Sequence, residues 1–142
     1  MKYLILSAFT FITLQLRAQD EPVVVDNKVH KMVMQFTVGD STEQSSVVLQ
    51  VANIRQAWPK AQIEVVCHSS GLNLLIKGKS KVSAKVEELS RQGIVFAACN
   101  NTMRRMKIGK DALLPPAVVV PSAMVELVSK QEAGWAYVKA AH

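Results

Sequence analysis

The chain has little of what usually announces a small protein's chemistry. Only two cysteines occur among 142 residues, which excludes a disulfide-dense miniprotein. Cys67 and Cys99 stand too far apart for a CxxC redox or zinc-ribbon element. Three histidines, His30, His68 and His142, are scattered without HExxH or paired spacing, so no metal site is expected. Six glycines and five prolines exclude collagen and low-complexity linkers. Neither GxGxxG nor GxxxxGKS/T occurs, which disfavours a dinucleotide or nucleoside triphosphate, and no cofactor is expected. Aromatic residues make up 6%, too few for the stacking platforms of a single-strand binder.

What remains is apolar. Hydrophobic residues reach 49% and charged residues 20%, a composition that folds. The length suits one domain and is short for two well-filled ones.

Residues 1–19, MKYLILSAFTFITLQLRAQ, stand apart. Lys2 gives a positive start, and an uncharged, mostly apolar run follows from Tyr3 to Leu16. Such a run falls short of the roughly 20 residues a bilayer span needs. It fits a secretory signal peptide, with Ala18 as the expected cleavage residue. The expected product is exported, periplasmic or secreted, with no stable membrane insertion after cleavage. Removing Lys2 and Arg17 from the 17 basic residues, against 11 acids, leaves +4. That mild excess does not make a nucleic-acid partner. Residues 20–27 are expected to be a loose lead-in, and residues 28–142 the folded domain.

The rest alternates strand and helix. Residues 29–38, with Val29, Val33 and Phe36, suit a buried strand that Gly39-Asp40 breaks. Asp40 or Ser41 can cap a helix, each with Glu43 or Gln44 three residues on. Val47, Val51, Ile54 and Trp58 follow at helical spacing, and Pro59 stops that helix. Residues 61–67 form a second strand, and His68-Ser69-Ser70-Gly71 a turn. A short helix over Leu72, Leu75 and Ile76 ends near Gly78. A clearer helix spans 80–92, with Ser80 as cap, Val82, Val86 and Leu89 on one face, a Glu87–Arg91 pair, and Gly93 as stop. Residues 94–98 make a third strand, with a helix after Cys99. Residues 117–120 make a fourth, and Pro121-Ser122 opens a helix carrying Met124, Leu127 and Val128. Residues 135–139 make a fifth. Met32, Met34, Met103, Met106 and Met124 are expected to fill core or interface. Short apolar strands separated by helices predict an α/β fold with a parallel sheet covered on both faces. Ligands gather at the carboxyl ends of such strands. The loops at Gly39–Thr42, Cys67–Gly71 and Cys99–Thr102 therefore hold the candidate site.

Cys99 ends a strand and begins a helix. The helix terminus supplies free N–H groups and partial positive charge, and both favour the thiolate. Arg104, Arg105, Lys107 and Lys110 add positive field. Asn100, Asn101 and Thr102 offer short polar groups able to hold an anion or a persulfide. A plainer reading stands beside this one, because free cysteine is often a small buried apolar residue. His68 could hydrogen-bond Cys99 and lower its pKa further, or serve only as a turn residue. If the second and third strands are neighbours, Cys67 and Cys99 fall within the disulfide range of about 5–6 Å. If a strand intervenes, the spacing nears about 10 Å and no bond forms.

These residues resemble a known family. Ile63-Glu64-Val65-Val66-Cys67-His68-Ser69-Ser70-Gly71-Leu72 and Phe96-Ala97-Ala98-Cys99-Asn100-Asn101-Thr102-Met103 are similar to the DsrE/DsrF-like, sulfur-relay proteins. Val119-Val120-Pro121-Ser122, Val125-Glu126-Leu127 and Gln131-Glu132-Ala133-Gly134-Trp135-Ala136-Tyr137 extend the likeness over nearly all of 28–139. The resemblance implies a three-layer α/β/α fold with a five-stranded parallel sheet in the order 4-3-2-1-5. It implies homotrimers or homohexamers. It also implies that the cysteine after the third strand, here Cys99, carries a persulfide and hands sulfur to a partner protein or small thiol. Many relatives have a small residue where Cys67 stands, so no role for Cys67 follows. The well-known relay proteins act in the cytoplasm, and an exported chain is not expected to thiolate tRNA.

The leading expectation is thus an exported sulfur carrier, sulfurtransferase-like if an enzyme. Cys99 is its nucleophile, His68 tunes it, and Asn100, Asn101, Thr102 and Arg104 hold the anion. The alternatives are a non-catalytic oligomeric binding module with a structural Cys99, or a Cys67/Cys99 thiol–disulfide pair.

Overall fold

The structure, a computed structural model, describes residues 24–140. The expected signal segment 1–19 and residues 20–23 of the lead-in lie outside the described residues. The remainder of the lead-in is tied down. The Asp26 amide donates to the Ala57 carbonyl at 2.9 Å. Asp26 also meets His30 at 3.0 Å, and the His30 ring stacks on Trp58 at 4.1 Å.

Five strands alternate with helices: β1 (Lys31–Phe36), α1 (Ser41–Ala57), β2 (Gln62–Cys67), α2 (Ser83–Arg91), β3 (Val95–Cys99), α3 (Asn100–Met106), β4 (Ala117–Val120), α4 (Ala123–Glu132) and β5 (Ala136–Lys139). Two 3-10 segments, Ser69–Leu75 and Lys110–Ala112, fill the connections after β2 and α3. All neighbouring strands pair in parallel, in the order β4-β3-β2-β1-β5. This is the α/β fold and strand order that the resemblance implied.

Parallel pairing with a two-residue side-chain period gives each face its own core. Met32, Met34, Phe36, Ile63, Val65, Cys67, Phe96 and Ala98 point to one face. There they meet Val47, Val48 and Val51 of α1, Val86 and Leu89 of α2, and Leu72, Leu74 and Leu75 of the 3-10 segment. Val33, Val66, Ala97, Cys99 and Val120 point to the other, beneath Ala123 and Leu127 of α4, with Trp135 beside them. The second core is smaller because α4 covers β1 and β2 while the β3–β4 side stays open, with Val95 and Val118 exposed.

Local chemistry sets the boundaries. Asp40 Oδ1 accepts from the amides of Thr42 and Glu43, both at 3.0 Å, and caps α1. Gln44 turns inward instead of closing a capping box. It is 1% exposed, donates to the Gly39 carbonyl, and accepts from the Lys81 amide at 2.8 Å. Gly93, at φ +85°, ends α2 as expected. Ser80 does not cap α2: the helix begins at Ser83 after Val82, and the Ser80 hydroxyl is buried without a partner. Glu88, rather than Glu87, forms the ion pair on α2, with Lys85 at 2.7 Å. Val29 precedes β1 and is exposed, and Met124 and Val128 of α4 face outward at about half exposure. Met32, Met34 and Met103 are buried as filler.

Two glycines lock the loops at the carboxyl rim. A side chain at Gly39 would lie 2.0 Å from the Ser70 carbonyl oxygen, and one at Gly71 would lie 2.5 Å from that of Phe36. The amides of His68 and Gly71 donate to Phe36 and Thr37 at 3.1 and 2.9 Å. The segment after β2 is thereby stitched to the end of β1. Gly71→Ala forces backbone against backbone, so it should lower stability by about 1–3 kcal/mol. A drop in the urea midpoint at unchanged slope checks this.

Candidate functional site

Cys99 is the last residue of β3 and the residue from which α3 springs. It lies on the α4 face and is 4% exposed. The Ala123 amide, at the start of α4, donates to its sulfur at 3.3 Å. Burial alone would push this thiol up. The amides of Thr102, Ala123 and Asn101 and the Thr102 hydroxyl outweigh that cost and hold it below the ordinary cysteine value. The sulfur thus occupies a small nest built by two chain turns, one entering α3 and one entering α4.

Cys67 is different. It ends β2 opposite Ala98 in the register, so its side chain points to the α1–α2 core while that of Cys99 points to the other face. Both thiols are free. The adjacent strands expected for a disulfide are present, but a one-residue offset puts the two sulfurs on opposite sides of the sheet. The expected alternative of a Cys67/Cys99 thiol–disulfide pair is therefore ruled out by the geometry. Burial without compensating donors pushes the Cys67 thiol far up, as befits an inert core residue.

His68 follows β2 and lies on the Cys99 face, yet it does not reach the sulfur. Its Nε2 meets the Gln35 side-chain amide at 2.8 Å, and its Nδ1 meets the Ser69 hydroxyl at 3.2 Å. Burial, reinforced by the Arg105 charge, pushes the imidazole below its usual value and favours its neutral form. The expected His68–Cys99 hydrogen bond is replaced by an indirect link. Ser69 donates its amide to the Thr102 hydroxyl oxygen at 3.2 Å, and that hydroxyl serves Cys99.

Among the other expected anion-holding residues, Thr102 is 5% exposed and its hydroxyl and amide favour the Cys99 thiolate, as does the Asn101 amide. The Asn101 side chain turns away, its Oδ1 accepting from the Arg104 guanidinium. Arg104 and Asn101 are both exposed, and Asn100 is half-buried at the first position of α3. Sequence reasoning missed Gln35, Ser69 and Tyr137, whose hydroxyl donates to Gln35 Oε1. A glutamine inside the apolar run of β1 was the one available signal.

A cleft of about 400 Å³ lies at the opposite end of the sheet, lined in part by Arg55, Lys60, Gln62, Gly93 and Trp135. Arg55 there donates to the Pro59 carbonyl at 2.8 Å. Helices α1, α2 and α4 all end nearby, so these cations complement helix carboxyl termini. Among the described residues, no group of three His, Cys, Asp or Glu side chains could hold a metal. Nor is any described helix long and apolar enough to cross a membrane.

A parallel sheet in this order, with a donor-wrapped thiol at the rim of its third strand, defines a class of protein that comparison with known chains identifies. The model of the DsrE/DsrF-like family matches residues 30–140, and the chain belongs to that sulfur-relay-type family. A protein of unknown function from Methanobacterium thermoautotrophicum, MTH1491, is 35% identical, with TM-score 0.68 over 78% of this chain and 98% of its own. The ychN protein from E. coli is 15% identical, with TM-score 0.65 over 78% of this chain and 99% of its own. BT1422, a conserved protein of unknown function from Bacteroides thetaiotaomicron, is 15% identical, with TM-score 0.60 over 77% and 93%. The last two share the fold. No curated protein matches significantly.

Three labelling outcomes follow from the geometry. The alkylation rate of Cys99 should reach half its plateau below the pH of an ordinary cysteine, since the thiolate is the reacting form. Native protein should take up one label, and Cys67 should react only after unfolding. Thr102→Val removes a charge-assisted donor, so it should slow Cys99 alkylation at neutral pH by about tenfold.

Proposed function

We propose that the protein is a sulfur carrier that holds sulfur as a persulfide on Cys99. The supporting observation is the convergence of the Asn101, Thr102 and Ala123 amides and the Thr102 hydroxyl on one sulfur atom. The family resemblance supports the reading, because it implies a persulfide on the cysteine that follows the third strand. In the first step the Cys99 thiolate attacks the outer sulfur of a sulfane donor. A new S–S bond forms, the donor's own S–S bond breaks, and the leaving group departs with that electron pair. In the second step an acceptor thiolate attacks the terminal sulfur of the persulfide, and Cys99 leaves again as thiolate. No net oxidant is required. The donor nest stabilises Cys99 as the anion before the first step and as the leaving group in the second. Arg104 and Arg105, both exposed on α3, favour the approach of anionic donors.

The test is intact-protein mass spectrometry after incubation with thiosulfate or polysulfide. The expected result is a gain of one sulfur atom that reductant removes, that Cys99→Ser abolishes and that Cys67→Ala retains. No gain, with a thiol that titrates normally, overturns the reading.

One observation favours a second reading, a binding module with a structural Cys99: the thiol is only 4% exposed. With so little of the thiol exposed, a donor reaches it through local opening of the structure. An unreactive Cys99 in the folded protein supports that reading and opposes the first.

Self-association belongs to the same proposal. Met124, Val125 and Val128 of α4 and Val118 of β4 are each at least half exposed. Burying such a surface against a second copy is the economical use for it. Sedimentation equilibrium should give a trimer or hexamer, and Val125→Glu should shift it toward monomer. The charge and length pattern of residues 1–19 supports export, so the proposed work takes place in the periplasm or outside the cell.

A further inference from the structure

Hydrogen bonds extend from the Cys99 nest across three strands to the far edge of the sheet. The Tyr137 hydroxyl on β5 donates to Gln35 Oε1 on β1. Gln35 Nε2 donates to His68 Nε2 at 2.8 Å. With that nitrogen accepting, the neutral imidazole carries its proton on Nδ1 and donates it to Ser69 Oγ at 3.2 Å. Ser69 takes φ +52°, the left-handed region that a residue with a side chain enters at a cost. In that conformation its amide donates to Thr102 Oγ1. Thr102, with a lone pair engaged there, is left to turn its own proton toward the Cys99 thiolate, which its hydroxyl favours.

The register explains why these side chains meet. Gln35 stands beside Val66 on β2 and Lys139 on β5, two residues beyond the Val33–Tyr137 pair. His68 follows β2 two residues after Val66, so Tyr137, Gln35 and His68 share the α4 face. The strained corner is held from behind as well. The Ser70 hydroxyl donates to the Thr37 carbonyl at 2.9 Å, and Gly71 lies against Phe36.

We propose that Ser69 is the positioning residue of Cys99, and that Tyr137 and Gln35 hold Ser69 in place through His68. This rests on the reading of Cys99 as the reactive thiolate. In this arrangement His68 is neither a base nor a direct partner of the sulfur. Its neutral Nδ1–H form orients Ser69, Ser69 orients Thr102, and Thr102 faces the sulfur. The titratable and charged groups on this corner are His68 after β2, Tyr137 and Lys139 from β5 and Arg105 from α3.

The test combines nitrogen-15 NMR of the His68 ring with the pH profile of Cys99 alkylation. Wild type should show the Nδ1–H tautomer. Gln35→Leu, and more mildly Tyr137→Phe, should shift the ring toward Nε2–H and slow Cys99 alkylation at neutral pH by about threefold to tenfold. Ser69→Val, β-branched where φ is positive, should do the same to the thiol, whereas Ser69→Asn, which tolerates that conformation, should restore it. Tyr137 lies at the sheet edge and is 41% exposed, so Tyr137→Phe keeps the test alive if a buried variant fails to fold. A changed His68 tautomer with an unchanged Cys99 profile overturns the proposal, as does a wild-type ring with the other tautomer. A wild-type Cys99 that titrates normally instead sinks the sulfur-carrier reading. The His68 signature still decides the relay.

Discussion

The parallel register of the five strands is the constraint on which the rest depends. Because β1, β2 and β3 run the same way and end together, residues distant in sequence reach one rim: Gln35 and Phe36, His68 and Ser69, and Cys99 with Thr102. Because side chains alternate, the same register decides which thiol meets which surroundings. Cys99 faces amides that begin two helices. Cys67, one step away in pairing, faces Leu and Val side chains. A cysteine among hydrogen-bond donors and a cysteine among methyl groups have opposite acidities for that reason, and no difference in the residue itself is needed.

The order of elements was legible in the sequence because its signals are local. Gly39-Asp40, Pro59, Gly93 and Pro121-Ser122 punctuate apolar runs, and every strand lies within two residues of where composition puts it. The order of strands in the sheet is not local information, and it came from likeness to a family whose members share it. The side each helix presents was harder. Helix α4 carries Met124, Val125, Leu127 and Val128 together, so apolarity points in several directions, and only Ala123 and Leu127 are buried. Ser80 has the chemistry of a cap, but its amide is already engaged with the Ile76 carbonyl and the helix starts later.

The candidate site was half legible. Cys99 and Thr102 stand out from their place between strand and helix. Their link to His68 does not, since it passes through the backbone of Ser69 in a conformation no residue type announces. Gln35 and Tyr137 are 102 positions apart and meet only because β5 returns to pair with β1. Buried polar residues that tie together segments distant in sequence, such as Gln44 of α1 holding the chain before α2, are invisible to periodicity for the same reason.

The position of β5 carries one more consequence. It is the last strand added, it borders the sheet, and none of its four residues is covered. Among the described residues its outward N–H and C=O groups have no strand partner, which makes this edge the kind onto which an extended segment can add. Brevity and the charge of Lys139 blunt that hazard.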